Sequence, residues 1–191
     1  MAEASFCTND SNSFIFVSKD NRVHLWDTDT CKERRTYVEK QNLAHFYTCS
    51  SWRAGKKENL GYYAVGTSDG TIIVWDLTRG VVAKILGKAN ESPAPTSLYF
   101  SNDSKSLLAS SNQNKIVQYD LGTGEEIHSF KAGKKGVLKI AVNPKVDVVA
   151  AGGYVLHLLC HMQIVSHALL VEGYILRSDL IAYVTLHLLW I

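Results

Sequence analysis

The residues able to do chemistry are few and regularly placed. Three carboxylates follow an aromatic residue at the close of an apolar run, in Trp26-Asp27, Trp75-Asp76 and Tyr119-Asp120, and two more, Asp20 and Asp69, precede the tryptophans inside polar turns. General acid–base catalysis needs such groups to converge on one substrate atom. Carboxylates that recur about every 45 residues, each at a turn or the end of a run, fit a repeated structural part instead. His157, Cys160 and His161 are close enough in sequence to touch one metal ion, but a structural zinc site wants four ligands and no fourth is offered nearby. There is no GxSxG elbow, P-loop, GxGxxG turn or HExxH helix, and no cysteine in a catalytic setting with histidine. The sequence therefore reads as a non-enzymatic binding scaffold, with no catalytic, cofactor or metal residue assigned.

Positive charge is the other candidate. Arg53, Lys56 and Lys57 lie in RAGKKENLG, and Lys131, Lys134 and Lys135 in KAGKKG. Contact with a nucleic-acid backbone needs only such charge, and the two stretches are expected on one face of the fold. Solvated loops are the plainer reading of both. Twenty Lys plus Arg against 18 Asp plus Glu, a formal net charge of +2, gives no whole-chain argument for nucleic acid. Cys7, Cys31, Cys49 and Cys160 are widely spaced and without a CxxC pair, as in a protein of reducing compartments, and no signal peptide opens the chain.

The elements that must carry these residues are hairpins. In YYAVGTSDGTIIVWD, residues 62–76, two β-formers' runs flank an Asp-Gly turn, the strongest local hairpin signal. SFIFVSKDNRVHLWD (13–27) and SLLASSNQNKIVQYD (106–120) repeat it. Each hairpin is preceded by a short strand and followed by an outer one, DTDTCKERRTYV, DLTRGVVAKIL or DLGTGEEIHSF. Four strands per unit at this period resemble the blades of the WD-repeat β-propeller family.

The resemblance implies an all-β partial propeller of about three and a half four-stranded blades, at roughly residues 4–38, 45–87, 96–132 and 137–160, with domain limits of 1–153 and 154–191. It also implies structural roles for Asp20, Trp26, Asp27, Asp69, Trp75, Asp76, Tyr119 and Asp120, with the turn aspartate bonded to a histidine from the loop before the blade. Gln113 replaces that aspartate in the third unit, and His45 is the one candidate histidine, placed to meet Asp69. The spelling of residues 4–153 is most similar to the nucleolar branch of the family, the WD-repeat subunits of the small-subunit processome. That likeness implies a scaffold in pre-rRNA transcription and small-subunit rRNA processing, located in the nucleus and nucleolus. Its partners would be other WD-repeat and helical subunits, with pre-rRNA backbone contact at most and no small-molecule substrate. A substrate adaptor of a ubiquitin ligase or another signalling scaffold is the alternative; the adaptor is disfavoured because Thr28-Asp29 and Leu77-Thr78 follow the Trp-Asp pairs where that group usually has Arg or Lys.

The fourth unit starts regularly with VLKIAVNP and DVVAAGG, then changes to the apolar YVLHLLCHMQIVSHALLVEGYILRSDLIAYVTLHLLWI. Residues 148–171 carry no formal charge and are long enough to cross a bilayer. Gly152-Gly153 and the interior His157, His161, Gln163 and His167 argue against a span. The tail is expected to be atypical, the product of a truncated or altered reading frame.

Overall fold

The computed structural model describes residues 3–6, 12–39, 45–53, 55, 59–101, 105–131, 136–143, 148–153, 157–159 and 170–171. They form four antiparallel sheets of four strands, each taken in chain order. The first holds β1 (Glu3–Phe6), β2 (Ser13–Val17), β3 (Val23–Asp27) and β4 (Lys32–Tyr37). The second holds β5 (Tyr47–Arg53), β6 (Tyr62–Thr67), β7 (Ile72–Asp76) and β8 (Val81–Leu86). The third holds β9 (Pro95–Phe100), β10 (Ser106–Ser111), β11 (Lys115–Asp120) and β12 (Glu126–Lys131). The fourth holds β13 (Val137–Asn143), β14 (Val148–Gly153) and two short strands inside the apolar tail, β15 (His157–Leu159) and β16 (Leu170–Val171). The fold is thus an all-β run of WD-repeat-type propeller blades. Among the described residues there is no helix, and so none long and apolar enough to cross a membrane.

The first strands lie side by side, β1 against β5, β5 against β9 and β9 against β13, and the fourth strands form the outer edges. Those edges carry Lys32, Glu33, Arg34 and Arg35 on β4, Lys84 on β8, and Glu126 and Lys131 on β12. Charge of this kind blocks edge-to-edge pairing with other chains.

Alternation along the strands explains why the hairpin runs are apolar on nearly every residue. Register pairs Tyr63 with Trp75 and Val65 with Ile73, and these four face the first sheet together with Leu77. The intervening Ala64, Ile72 and Val74 face the third. A sheet buried on both faces loses the polar half of the usual pattern. The first interface is completed by Ile15, Val17, Val23, Leu25 and Tyr37; the Tyr37 ring lies 5.8 Å from Trp75, and its hydroxyl donates to the Leu77 carbonyl at 2.8 Å. The second interface adds Leu86, Leu98, Phe100, Leu107, Ala109, Val117 and Tyr119, and the third joins Leu108 and Ile116 to Val137, Ile140, Val149 and Ala151.

Turn geometry repeats with the same fidelity. The hairpin turns place Asn21, Gly70 and Asn114 at φ of 62°, 94° and 61°, and the turns after the aromatic-Asp pairs place Cys31, Gly80 and Gly124 at 51°, 75° and 87°. In all three units the register between third and fourth strands shifts just before the aromatic, at Leu25/Trp26, Val74/Trp75 and Gln118/Tyr119.

Trp75 is 3% exposed, so Trp75→Ala is expected to cost roughly 3–5 kcal/mol, read as a lower midpoint in urea unfolding. Cys31 holds a left-handed position that Gly fills in the next two units. Cys31→Gly is expected to raise stability by roughly 0.5 kcal/mol, the strain relieved less the entropy glycine brings, and an unchanged or lower midpoint would show that the turn carries no such strain.

Candidate functional site

The aspartates after the aromatics are spent on the turns that follow them. Asp27 Oδ1 accepts from the backbone N–H groups of Asp29 and Thr30, both at 2.9 Å, while Oδ2 receives the Arg34 guanidinium, with Nε at 2.8 Å. Asp76 Oδ1 accepts from the Arg79 N–H at 2.9 Å, and Asp120 Oδ1 from those of Gly122 and Thr123 at 2.6 and 2.8 Å. Such side-chain-to-backbone bonds close Asx turns. The Thr30 N–H, then Arg34, hold the Asp27 carboxyl down to about 2, and the Thr123 N–H above all lowers that of Asp120. Carboxylates kept ionised by their own turns are poorly suited to donate a proton near neutral pH.

Asp69 stands at the centre of a denser network. It is 6% exposed, and its Oδ1 accepts from the Thr71 N–H at 3.0 Å, the Thr71 hydroxyl at 2.8 Å and the Thr67 hydroxyl. Oδ2 lies 3.9 Å from His45 Nε2, the distance of an ion pair rather than a hydrogen bond. The turn also joins two loops through the backbone: Ser68 N–H donates to Phe46 O at 2.9 Å, and Asn90 N–H to Asp69 O at 2.7 Å. Burial alone would raise the Asp69 pKa; the bonds from Thr67 and Thr71, aided by His45, outweigh it and hold the carboxyl below its ordinary range.

The corresponding turns keep only part of this. In each unit a hydroxyl reaches the carbonyl four residues on, from Ser18 to Arg22 at 3.5 Å, Thr67 to Thr71 at 2.9 Å and Ser111 to Lys115 at 3.2 Å. Asp20, however, is 53% exposed and paired at 3.3 Å with Arg22, the residue that takes the place of Thr71, with His24 Nε2 4.0 Å away. Gln113 is exposed in the third turn. The threonines on either side of Asp69 were the missed signal: they decide which turn aspartate is buried.

Arg53 ends β5, and its guanidinium donates to the Ser101 carbonyl on the neighbouring sheet. Lys131 is exposed at the end of β12. Arg53 and Lys131, the basic residues of the two stretches that the structure describes, do not share a face. Arg53 pairs with Tyr62 at the start of β6, whereas Lys131 pairs with Lys115 beside a hairpin turn, so they sit at opposite ends of the strands. For these two residues the expectation of a shared face does not hold, because β5 and β12 run in opposite directions across the fold. Lys56, Lys57, Lys134 and Lys135 lie outside the described residues, as do Cys7, Cys160 and His161. Cys31 is an exposed thiol and Cys49 a buried one. Among the described residues no group of His, Cys, Asp and Glu is placed to hold a metal ion.

Comparison with known proteins gives similar sequences over different extents. The chain is 20% identical over 168 residues to WD repeat-containing protein 43 of Homo sapiens, covering 78% of this chain and 25% of that protein. It is 28% identical over 160 residues to a WD repeat-containing protein of Dictyostelium discoideum, covering 81% and 31%. It is 39% identical over 85 residues to the Retinoblastoma-binding protein 5 homolog of Drosophila melanogaster, covering 44% and 17%. The chain thus spans less than a third of each of these relatives. No family model matches it.

The pH dependence of stability follows from the lowered carboxyls. A group whose folded pKa lies below its unfolded value of about 4 stabilises above that value, and the contribution is lost as pH falls through the folded one. Asp69, Asp27 and Asp120 all have that sign, so melting temperature is expected to hold between neutrality and about pH 5 and to fall toward about pH 2. Asp69→Asn should cost roughly 1–3 kcal/mol at pH 7 and flatten the acid limb; an acid limb as steep as the parent's would remove Asp69 from this account.

Proposed function

We propose that this chain, a run of WD-repeat-type propeller blades, is a non-enzymatic protein-interaction scaffold in ribosome biogenesis, acting in pre-rRNA transcription and small-subunit rRNA processing in the nucleolus. The observation that carries the reading is the likeness to WD repeat-containing protein 43 across 78% of the chain. The closer local match to the Retinoblastoma-binding protein 5 homolog, whose name records protein binding, supports the coarser part, a surface that holds other proteins. The chemistry of the blades agrees, because the aspartates are taken up by turns and leave side-chain and loop surface, not a reacting pair, for recognition.

On this reading residues 1–153 are the interacting blades and the partners are other WD-repeat and helical subunits of a nucleolar assembly. Pre-rRNA is touched through its phosphates, by the stretch of Arg53, Lys56 and Lys57 or by that of Lys131, Lys134 and Lys135. Arg53 and Lys131, at opposite ends of the strands, would contact it separately. The structural positions Asp20, Trp26, Asp27, His45, Asp69, Trp75, Asp76, Tyr119 and Asp120 are read as holding the blades.

Affinity purification of the chain through an N-terminal tag, with mass spectrometry of its companions before and after RNase treatment, tests this. Small-subunit assembly proteins retained after RNase are expected. A companion set without them, with diffuse cytoplasmic staining of the tagged chain, would replace the nucleolar reading. If RNA is bound, its affinity should fall as salt rises, and Lys131→Glu should reduce the salt slope by about one charge's worth.

A further inference from the structure

Ser92-Pro93 is the one place in the chain where a serine or threonine is followed by proline, and its hydroxyl sits where three elements meet. The connection from β8 to β9, residues 87–94, lies against the hairpin turn of the second sheet. The Asn90 N–H donates to the Asp69 carbonyl at 2.7 Å, and the Ser92 carbonyl is so near Gly70 that a Cβ there would collide with it. Ser92 also closes the connection on itself: its Oγ accepts from the Lys88 N–H at 3.0 Å, while its own N–H donates to the Lys88 carbonyl at 2.9 Å. Gly87 fits between these parts. A Cβ on it would lie 2.8 Å from the Gly70 carbonyl oxygen, 3.4 Å from Ser92 Oγ and 3.6 Å from the Tyr119 hydroxyl of the third sheet. One small neutral hydroxyl thus holds the crossing from the second sheet to the third against the Asp69 turn.

The crossing is also presented for modification. Lys88, Ala89, Asn90 and Glu91 are exposed, and Ser92 and Pro93 are partly so. A proline removes the next N–H and favours extended backbone in the residue before it, a shape a peptide-binding cleft can select. We propose that Ser92 is a phosphorylation site for a proline-directed protein kinase, and that the phosphate releases residues 87–94 from the Asp69 turn. In the transfer Ser92 Oγ bonds to the γ-phosphorus of a nucleoside triphosphate, the bond from that phosphorus to the bridging oxygen breaks, and the nucleoside diphosphate leaves. The hydroxyl proton passes to the base of the kinase. The product carries close to two negative charges beside Gly87 and Tyr119, where a hydroxyl fits and a tetrahedral dianion does not without displacing the chain. Its surroundings repel it, since the carbonyls of Gly70 and Lys88 are acceptors and Glu91 is the adjoining residue. The Lys88 ammonium, 3.5 Å from Glu91 with both side chains more than 70% exposed, can follow the phosphate outward and favours the released position. This inference is separate from the nucleolar reading, because it concerns a switch on the turns and not the identity of a partner.

The test is incubation of the purified chain with a mitogen-activated protein kinase, ATP and magnesium, followed by mass spectrometry. One phosphoryl group on Ser92 is expected, absent from Ser92→Ala and from Pro93→Ala. Label that stays in Pro93→Ala would remove the proline-directed part of the proposal. A folded chain that takes no label, while a synthetic peptide of residues 87–98 does, would show the site closed by the fold and overturn it. Release is read on the unmutated chain, which avoids any effect of substitution on folding. Hydrogen exchange in the peptide spanning residues 87–95, which holds the Lys88, Asn90 and Ser92 amides, should be at least about tenfold faster after phosphorylation, with exchange in β6 and β7 unchanged. Equal exchange before and after would show that the phosphate is carried without releasing the connection, and faster exchange throughout the second sheet would show general unfolding; either result sinks the switch.

Discussion

Everything in this fold depends on the burial of both faces of each sheet by its neighbours. A four-stranded sheet of this size has no core of its own; what it has is two apolar faces, and each becomes a core only when another sheet lies on it. The second sheet shows the result. Tyr63, Ala64, Val65, Ile73 and Leu77 are fully buried, and no polar side chain interrupts the run from Ile72 to Trp75. The strand sequence is therefore set by packing on two sides at once, and the polar residues are driven to the turns.

At the turns the chemistry is local and cheap in sequence. An aspartate at the end of the third strand closes the next turn with one or two backbone N–H groups, and a residue with positive φ four places later reverses the chain. The hairpin turn uses a hydroxyl in the same way, through Ser18, Thr67 or Ser111. Among the described turns, only where threonine flanks the aspartate on both sides does the carboxylate go under the surface; there it lies beside His45, and the Ser68 N–H of the same turn bonds the Phe46 carbonyl. The three turns share a backbone, but one of them is locked far more firmly.

Much of this was legible in the sequence because it is local. The Asp-Gly hairpin, the recurring aromatic-Asp pair and the four-strand unit are each decided within about fifteen residues, and register and turn chemistry followed from them. What stayed hidden is non-local. Whether Asp20 and Asp69 share a fate depends on residues 22 and 71, arginine in one and threonine in the other, although the two aspartates are equivalent by position. Whether Arg53 and Lys131 share a face depends on strand direction across the whole sheet array. The apolar tail after Gly153 offers no turn residues to announce strands, yet Ala150 and Ala151 of β14 pair with Leu158 and His157, and Leu159 pairs with Leu170. There the template strand β14 selects the partner, and the partner's own pattern decides little.

A serial arrangement of this kind distributes stability unevenly, and the distribution bears on recognition. Among the described residues the second and third sheets are covered on both faces, and the second also holds the locked turn, whereas the first and fourth each pack on one described neighbour. Opening of an outer sheet breaks one interface, whereas opening of the second breaks two and the Asp69 network besides. On the first sheet Phe14, Phe16 and Trp26 are only partly buried and are apolar surface still to bury. Binding there recovers the same free energy that holds the interior together, so docking and folding draw on a single interaction. The turn faces, fixed by bonded aspartates and hydroxyls, can then vary in sequence without disturbing it.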